Sequence, residues 1–120
     1  MWKILVVDDN PDILEAVSLV LSRKNMDVMT LEDPAKLHQC ISQFAPDVLL
    51  MDIAMGSYDG RNLCREIKSS PDEAKLPVVL FSARNYPEES ISQCMADSLL
   101  AKPFRINDLY EAVYSLLPTG

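Results

Sequence analysis

Two short apolar runs, Lys3–Val7 and Val48–Met51, each lead straight into acid: Asp8-Asp9 follows the first and Asp52 the second. Runs without polar interruption suit strands covered on both faces, the hallmark of parallel sheets. In an open parallel sheet the carboxyl ends of the strands share one edge, where ligands bind. If the two runs are neighbours, three carboxylates meet at that edge. Like charges at that spacing cost on the order of several kcal/mol unless a cation or protons relieve them. A cluster retained at that cost points to chemistry rather than support.

The rest of the chain repeats the pattern. Asp27–Leu31, Pro77–Phe81 and a short Leu99–Ala101 bring the strand-like runs to five. Ile13, Leu14, Val17 and Leu21 form a helical stripe, with Asn10 as N-cap, Pro11 as first helical residue and Arg23-Lys24 complementing the far end of the dipole. Asp33-Pro34 repeats the start signal ahead of Leu37, Cys40, Ile41 and Phe44. Leu63, Cys64 and Ile67 mark a third helix that stops near Ser69-Ser70-Pro71. Pro87, Ile91, Cys94 and Met95 give a weaker fourth, and Leu109, Ala112, Val113, Leu116 and Leu117 the clearest fifth. Strand and helix in alternation predict an α/β parallel sheet with right-handed crossovers, in one domain over residues 1–120.

Composition removes several classes of function. Hydrophobic residues at 48% and charged residues at 24% describe an ordinary globular chain. A net charge of −7 leaves no basic stripe for phosphates, so no direct nucleic-acid partner is expected. No apolar stretch reaches membrane-span length and Met1 leads directly into strand-like sequence, so neither membrane insertion nor a signal peptide is expected. Cys40, Cys64 and Cys94 are odd in number, far apart and next to apolar helix positions, which suits reduced thiols in a cytoplasmic protein. His38 reads as a solvated helix residue, and a single histidine makes no metal site. Tyr110 and Tyr114 flank the stripe of the last helix as edge-of-core residues.

Two more functional groups fall at strand ends on the acidic edge: Ser82 after the fourth run and Lys102 after the fifth. Magnesium suits such an oxygen-rich site, because it is hard and keeps room for water and a phosphate oxygen. A carboxylate can attack phosphorus to give an aspartyl phosphate. That chemistry needs positioning and charge neutralisation, which a cation on one side and Lys102 on the other could supply.

Over nearly its whole length the chain resembles the receiver domains of two-component response regulators. The matching stretches are Ile4-Leu-Val-Val-Asp-Asp-Asn-Pro11, Asp47-Val-Leu-Leu-Met-Asp-Ile53 with Asp59-Gly60, Val78-Val-Leu-Phe-Ser-Ala83, and Leu100-Ala-Lys-Pro-Phe104. Each is weak alone; four in order at domain spacing are specific. The resemblance implies a flavodoxin-like, doubly wound five-stranded parallel sheet of order 2-1-3-4-5 with five helices. It implies Asp52 as phosphoacceptor, with Asp9 and Asp52 binding Mg2+ directly, Asp8 through water and Ala54 through its main-chain carbonyl. Ser82 and Lys102 would contact the phosphoryl group, and Lys102-Pro103 would be cis. The implied partners are a histidine kinase or histidine phosphotransfer protein and an unidentified protein output target.

Three departures from the family pattern bear on signalling rather than on phosphorylation. Leu99 stands where an aromatic switch residue is usual, three before the lysine, and has no polar tip to trade between environments. Gly56 replaces a proline four after the acceptor and should loosen that loop. The Ser82–Lys102 segment is slightly short, which should trim the fourth helix or its leading loop. Ala54 and Arg84, two after the acceptor and two after the hydroxyl, hold positions that influence phosphate lifetime in the family. Among competing readings, a haloacid-dehalogenase-type phosphatase would need an aspartate where Ala54 stands. A flavodoxin-like cofactor binder would need a Ser/Thr/Gly-rich loop in place of Asp8-Asp9-Asn10. A degenerate receiver serving only for docking is the remaining alternative, favoured by Leu99 and opposed by the intact site.

Overall fold

A computed structural model describes residues 1–118. The chain runs β1 (Lys3–Val7), α1 (Pro11–Ser22), β2 (Asp27–Leu31), a 3₁₀ turn (Pro34–Lys36), α2 (Leu37–Phe44) and β3 (Val48–Asp52). Then come β4 (Ala54–Met55), β5 (Tyr58–Asp59), α3 (Gly60–Ser69), β6 (Val78–Ser82), α4 (Glu88–Gln93), β7 (Ser98–Ala101) and α5 (Ile106–Tyr114).

The period of two within buried strands explains the layers. Ile4, Val6, Val48, Leu50, Val79 and Phe81 face one side of the sheet, where Leu14, Val17 and Leu21 of α1 and Leu109 and Val113 of α5 cover them. Leu5, Val7, Leu49, Met51, Val78 and Leu80 face the other, under Leu37 and Ile41 of α2 and Leu63 and Ile67 of α3. Both faces are therefore dry, which is why these strands carry no alternating polar residues. The main sheet is wholly parallel, in the order β2-β1-β3-β6-β7. Counted over its own five strands this is 2-1-3-4-5, the expected doubly wound order. The chain winds outward in both directions from β1 and β3, so the crevice between their carboxyl ends is the topological switch point.

Local signals hold with some adjustments. Asn10 caps α1 by accepting from the Asp12 amide at 2.9 Å, and Pro11 opens the helix. Arg23 is the C-cap rather than a last-turn residue, so α1 ends without a basic residue in its final turn. Asp33-Pro34 starts a 3₁₀ turn, and α2 follows it at Leu37. The fourth helix is indeed short, six residues with none buried. The β4–β5 hairpin is not evident from the sequence. Its Gly56-Ser57 connection has Gly56 at φ 60°, a left-handed conformation that proline cannot adopt and that suits a tight hairpin turn. Gly56 thus closes a hairpin, in contrast to the looser loop expected from its replacement of proline.

Candidate functional site

The acidic edge forms because β1 stops one residue before its acids. Had Asp8 and Asp9 continued the strand, their side chains would point to opposite faces. With β1 ending at Val7, both reach the crevice, and carboxylate oxygens of Asp8, Asp9 and Asp52 lie within 4.8 Å of one another. Their environments differ. Asp8 is fully buried, Asp9 exposed, and Asp52, the last residue of β3, 7% exposed.

Lys102 follows β7 and closes the cluster from the far side. Its Nζ donates to Asp8 Oδ2 at 2.9 Å and lies 3.4 Å from Asp52 Oδ1. Its main-chain N–H donates to the Ser82 carbonyl at 2.7 Å, and its amine sits 5.8 Å from the Phe81 ring centre. Phe81 in turn stacks on Phe104, with centroids 5.1 Å apart, and the Lys102-Pro103 peptide is cis. The lysine is therefore positioned by backbone, ring and carboxylates together. The second Asp8 oxygen accepts the Asn10 amide at 3.0 Å, so this buried acid has a partner on each side.

Burial, and then the charge of Asp8, push the Asp52 pKa up, while the charge and hydrogen bond of Lys102 pull it back; the net direction is upward. An acid kept out of water beside another acid is poorly solvated as an anion, which a hard divalent cation would relieve. The donor set fits Mg2+: three carboxylates converge, and oxygen ligands at one open edge leave room for water and a substrate oxygen. Ala54 opens β4 two residues beyond Asp52 and is exposed.

Ser82 ends β6 and is 4% exposed, but its hydroxyl bonds within its own loop. It donates to the Arg84 carbonyl and accepts the Arg84 amide at 3.2 Å. Two residues beyond the expected set also shape the site. Gly60 begins α3 against the backbone of Asp52: a β-carbon there would stand 2.3 Å from the Asp52 carbonyl oxygen. Arg61 grips Asp59 through Nε at 3.0 Å and Nη2 at 2.6 Å, holding that carboxyl below the ordinary aspartate range. Asp59-Gly60 is visible in the sequence as a matching pair; nothing there distinguishes Arg61 from a solvated helix residue.

The other singled-out residues lie away from this edge. His38 is exposed but paired, its Nδ1 2.8 Å from Glu73 and its Nε2 3.6 Å from Glu66. Tyr110 packs at the core edge and donates to the Val20 carbonyl at 2.9 Å, while Tyr114 is largely exposed. Cys64 and Cys94 are buried free thiols, and burial, reinforced by Cys94, pushes the Cys64 thiol up to about 12. Among the described residues, no helix is long and apolar enough to cross a membrane.

Fold and site together define a flavodoxin-like domain with a lysine-closed acidic cluster at its switch point. The chain belongs to the response regulator receiver domain family, whose model matches residues 4–114, and so to the signalling modules of two-component systems. It is 32% identical over 117 residues to the response regulator MprA of Mycobacterium ulcerans, covering 96% of this chain and 50% of that protein. The chain thus spans about half the length of the curated relatives it matches. Among solved structures it is similar to the signal receiver domain of a signal transduction histidine kinase from Syntrophus aciditrophicus (TM-score 0.90, 28% identity, 98% of this chain and 90% of that one). It is also similar to the response regulator TrrA of Thermotoga maritima, solved in complex with Mg2+-BeF (TM-score 0.87, 27% identity, 98% of this chain and 100% of that one).

Proposed function

We propose that residues 1–120 form a single receiver domain in which Asp52 accepts a phosphoryl group, in a Mg2+-dependent reaction, from a histidine kinase or histidine phosphotransfer protein. The observation that carries this reading is the placing of Asp52 among Asp8, Asp9 and Lys102: carboxylate oxygens of the three acids lie within 4.8 Å of one another, and the amine lies 3.4 Å from Asp52 Oδ1. An Asp52 carboxylate oxygen attacks phosphorus, a P–O bond forms, and the donor's phosphorus–nitrogen bond breaks with its electron pair leaving on the imidazole. Asp8, Asp9, Asp52 and the Ala54 carbonyl would hold Mg2+, which supplies charge neutralisation for the phosphoryl oxygens. Lys102 places a second positive charge at the same oxygens, and Ser82 offers one hydroxyl proton to them. Burial and Asp8 raise the Asp52 pKa, so its nucleophilic carboxylate form depends on the counter-charge that Lys102 and a bound cation would supply. Phosphorylation then changes the affinity for a protein output target. A chain without a membrane-length helix among its described residues, with buried free thiols, suits the cytoplasm.

Incubation with acetyl phosphate and Mg2+, followed by intact-mass and peptide mass spectrometry, tests the assignment. One added phosphoryl group on Asp52, absent with chelator and labile in base, is expected. Labelling of Asp52→Asn at the parent level, or no labelling of the parent, would overturn it.

A further inference from the structure

The Ser82 hydroxyl has one proton, and that proton is committed to the Arg84 carbonyl. Donating that proton to a phosphoryl oxygen on Asp52 means releasing the Arg84 carbonyl, and an inward movement of the Ser82 loop would carry the turn from Arg84 to Tyr86 with it. That turn is held. The Arg61 guanidinium lies 4.4 Å from the centre of the Tyr86 ring, and its Nη1 donates to Ser90 Oγ of α4 at 3.1 Å. On its other side the same group is gripped by Asp59, which caps α3 and pairs with Ala54 at the base of the hairpin following Asp52. One planar side chain thereby joins the loop leaving β3 to the loop leaving β6.

The opposite route is poorly equipped. Leu99 on β7 is 42% exposed and has no polar atom with which to exchange partners. Helix α4, by contrast, has no fully buried residue and meets the core through the half-buried Ile91, so it is held less firmly than the other helices.

We infer that Arg61 and Tyr86 form a clasp that holds the Ser82 loop withdrawn from Asp52, and that its opening carries the state of Asp52 to the α3–α4 surface. The inference rests on the phosphoacceptor reading of Asp52. Arg61 and Tyr86 are positioning residues: neither touches the acid cluster, and both act through the loop that bears Ser82. Removing the clasp frees the loop to move inward, so affinity for a phosphoryl mimic rises. Loss of a merely structural contact would leave that affinity unchanged or lower it.

The test uses the full chain labelled with fluorotyrosine and titrated with beryllofluoride and Mg2+, the Tyr86 resonance being assigned by its loss in Tyr86→Phe. That resonance is expected to shift on saturation. Tyr86→Leu and Arg61→Ala should bind beryllofluoride about fivefold more tightly, the effect of losing one cation–π contact in the withdrawn state. Tyr86→Phe keeps the aromatic face and should match the parent. Arg61→Ala also disturbs the start of α3, so Tyr86→Leu is the deciding variant if Arg61→Ala unfolds. A stationary Tyr86 resonance while the Asp52 and Lys102 amides shift would overturn the clasp alone, as would parent affinity in Tyr86→Leu. Failure of the parent to bind beryllofluoride would overturn both the clasp and the phosphoacceptor reading.

Discussion

Gly60→Ala isolates the contact that seats α3 beneath the acceptor strand. A β-carbon at this position would stand 2.3 Å from the Asp52 carbonyl oxygen and 3.0 Å from the Ile53 α-carbon. A comfortable carbon–oxygen contact is about 3.3 Å, so the helix start or the strand end must yield by roughly 1 Å. Neither yields easily: all the atoms met are backbone, Asp52 is paired with Phe81 in the sheet, and the Ile53 amide donates to the Phe81 carbonyl at 3.1 Å. Overpacking of this kind costs about 1–3 kcal/mol, and its backbone character puts it in the upper half. The better helix propensity of alanine offsets at most about 1 kcal/mol, leaving a net loss of about 2 kcal/mol. Gly56→Ala is the matched control. Its left-handed φ of 60° with no atom within 4 Å of a β-carbon confines the cost to backbone strain, about 1 kcal/mol. Urea denaturation in chelator should rank the proteins parent, Gly56→Ala, Gly60→Ala, the last melting about 8 °C below the parent. Gly56→Asn should recover part of the loss and no asparagine should rescue position 60. A Gly60→Ala stability within about 0.5 kcal/mol of the parent would refute the close approach.

The acid cluster and the buried thiols set three more expectations. Because burial and Asp8 raise the Asp52 pKa, the folded state holds that proton more tightly than the unfolded one; the resulting stability is complete below the unfolded pKa and lost as pH rises through the folded one. Asp52→Asn should therefore be more stable than the parent at pH 7 in chelator and converge with it in acid, and lower stability at pH 7 would contradict the sign. With a dissociation constant near 1 mM, 10 mM Mg2+ should add about 1.4 kcal/mol to the parent, and most of this gain should vanish in Asp9→Ala; equal gains in calorimetry would remove Asp9 from the metal site. Cys64 and Cys94 are buried, and the Cys64 thiol lies up at about 12, so under native conditions iodoacetamide should modify the half-buried Cys40 first, a ranking that peptide mapping can reverse.

What the sequence made legible is what depends on period and edge. The continuously apolar β1, β3 and β6 announce themselves because both faces of a parallel sheet are covered, and the same topology sends every strand end to one rim. Asp8, Asp52, Ser82 and Lys102 could therefore be assembled from linear spacing alone, with Ser82 and Ala101 paired as neighbours just before the lysine. The hidden features depend on side chains crossing between elements. Arg61 looks like a solvated residue at the start of a helix, since its worth lies in Tyr86 and Ser90, 25 and 29 positions away along the chain. Gly56 reads as a loosened loop because its comparison is with proline, whereas the residue is fixed by a hairpin too short to be seen as strands. The orientation of the Ser82 hydroxyl is hidden for a deeper reason. Here Ser82 serves Arg84; under the proposed phosphoacceptor role of Asp52 the same hydroxyl would serve a phosphoryl oxygen, and which it served would be a state of the domain rather than a property of the sequence. The residues that set the balance between those states are those that hold the loop, so in this chain selection for signalling should act on Arg61 and Tyr86 as well as on the acids.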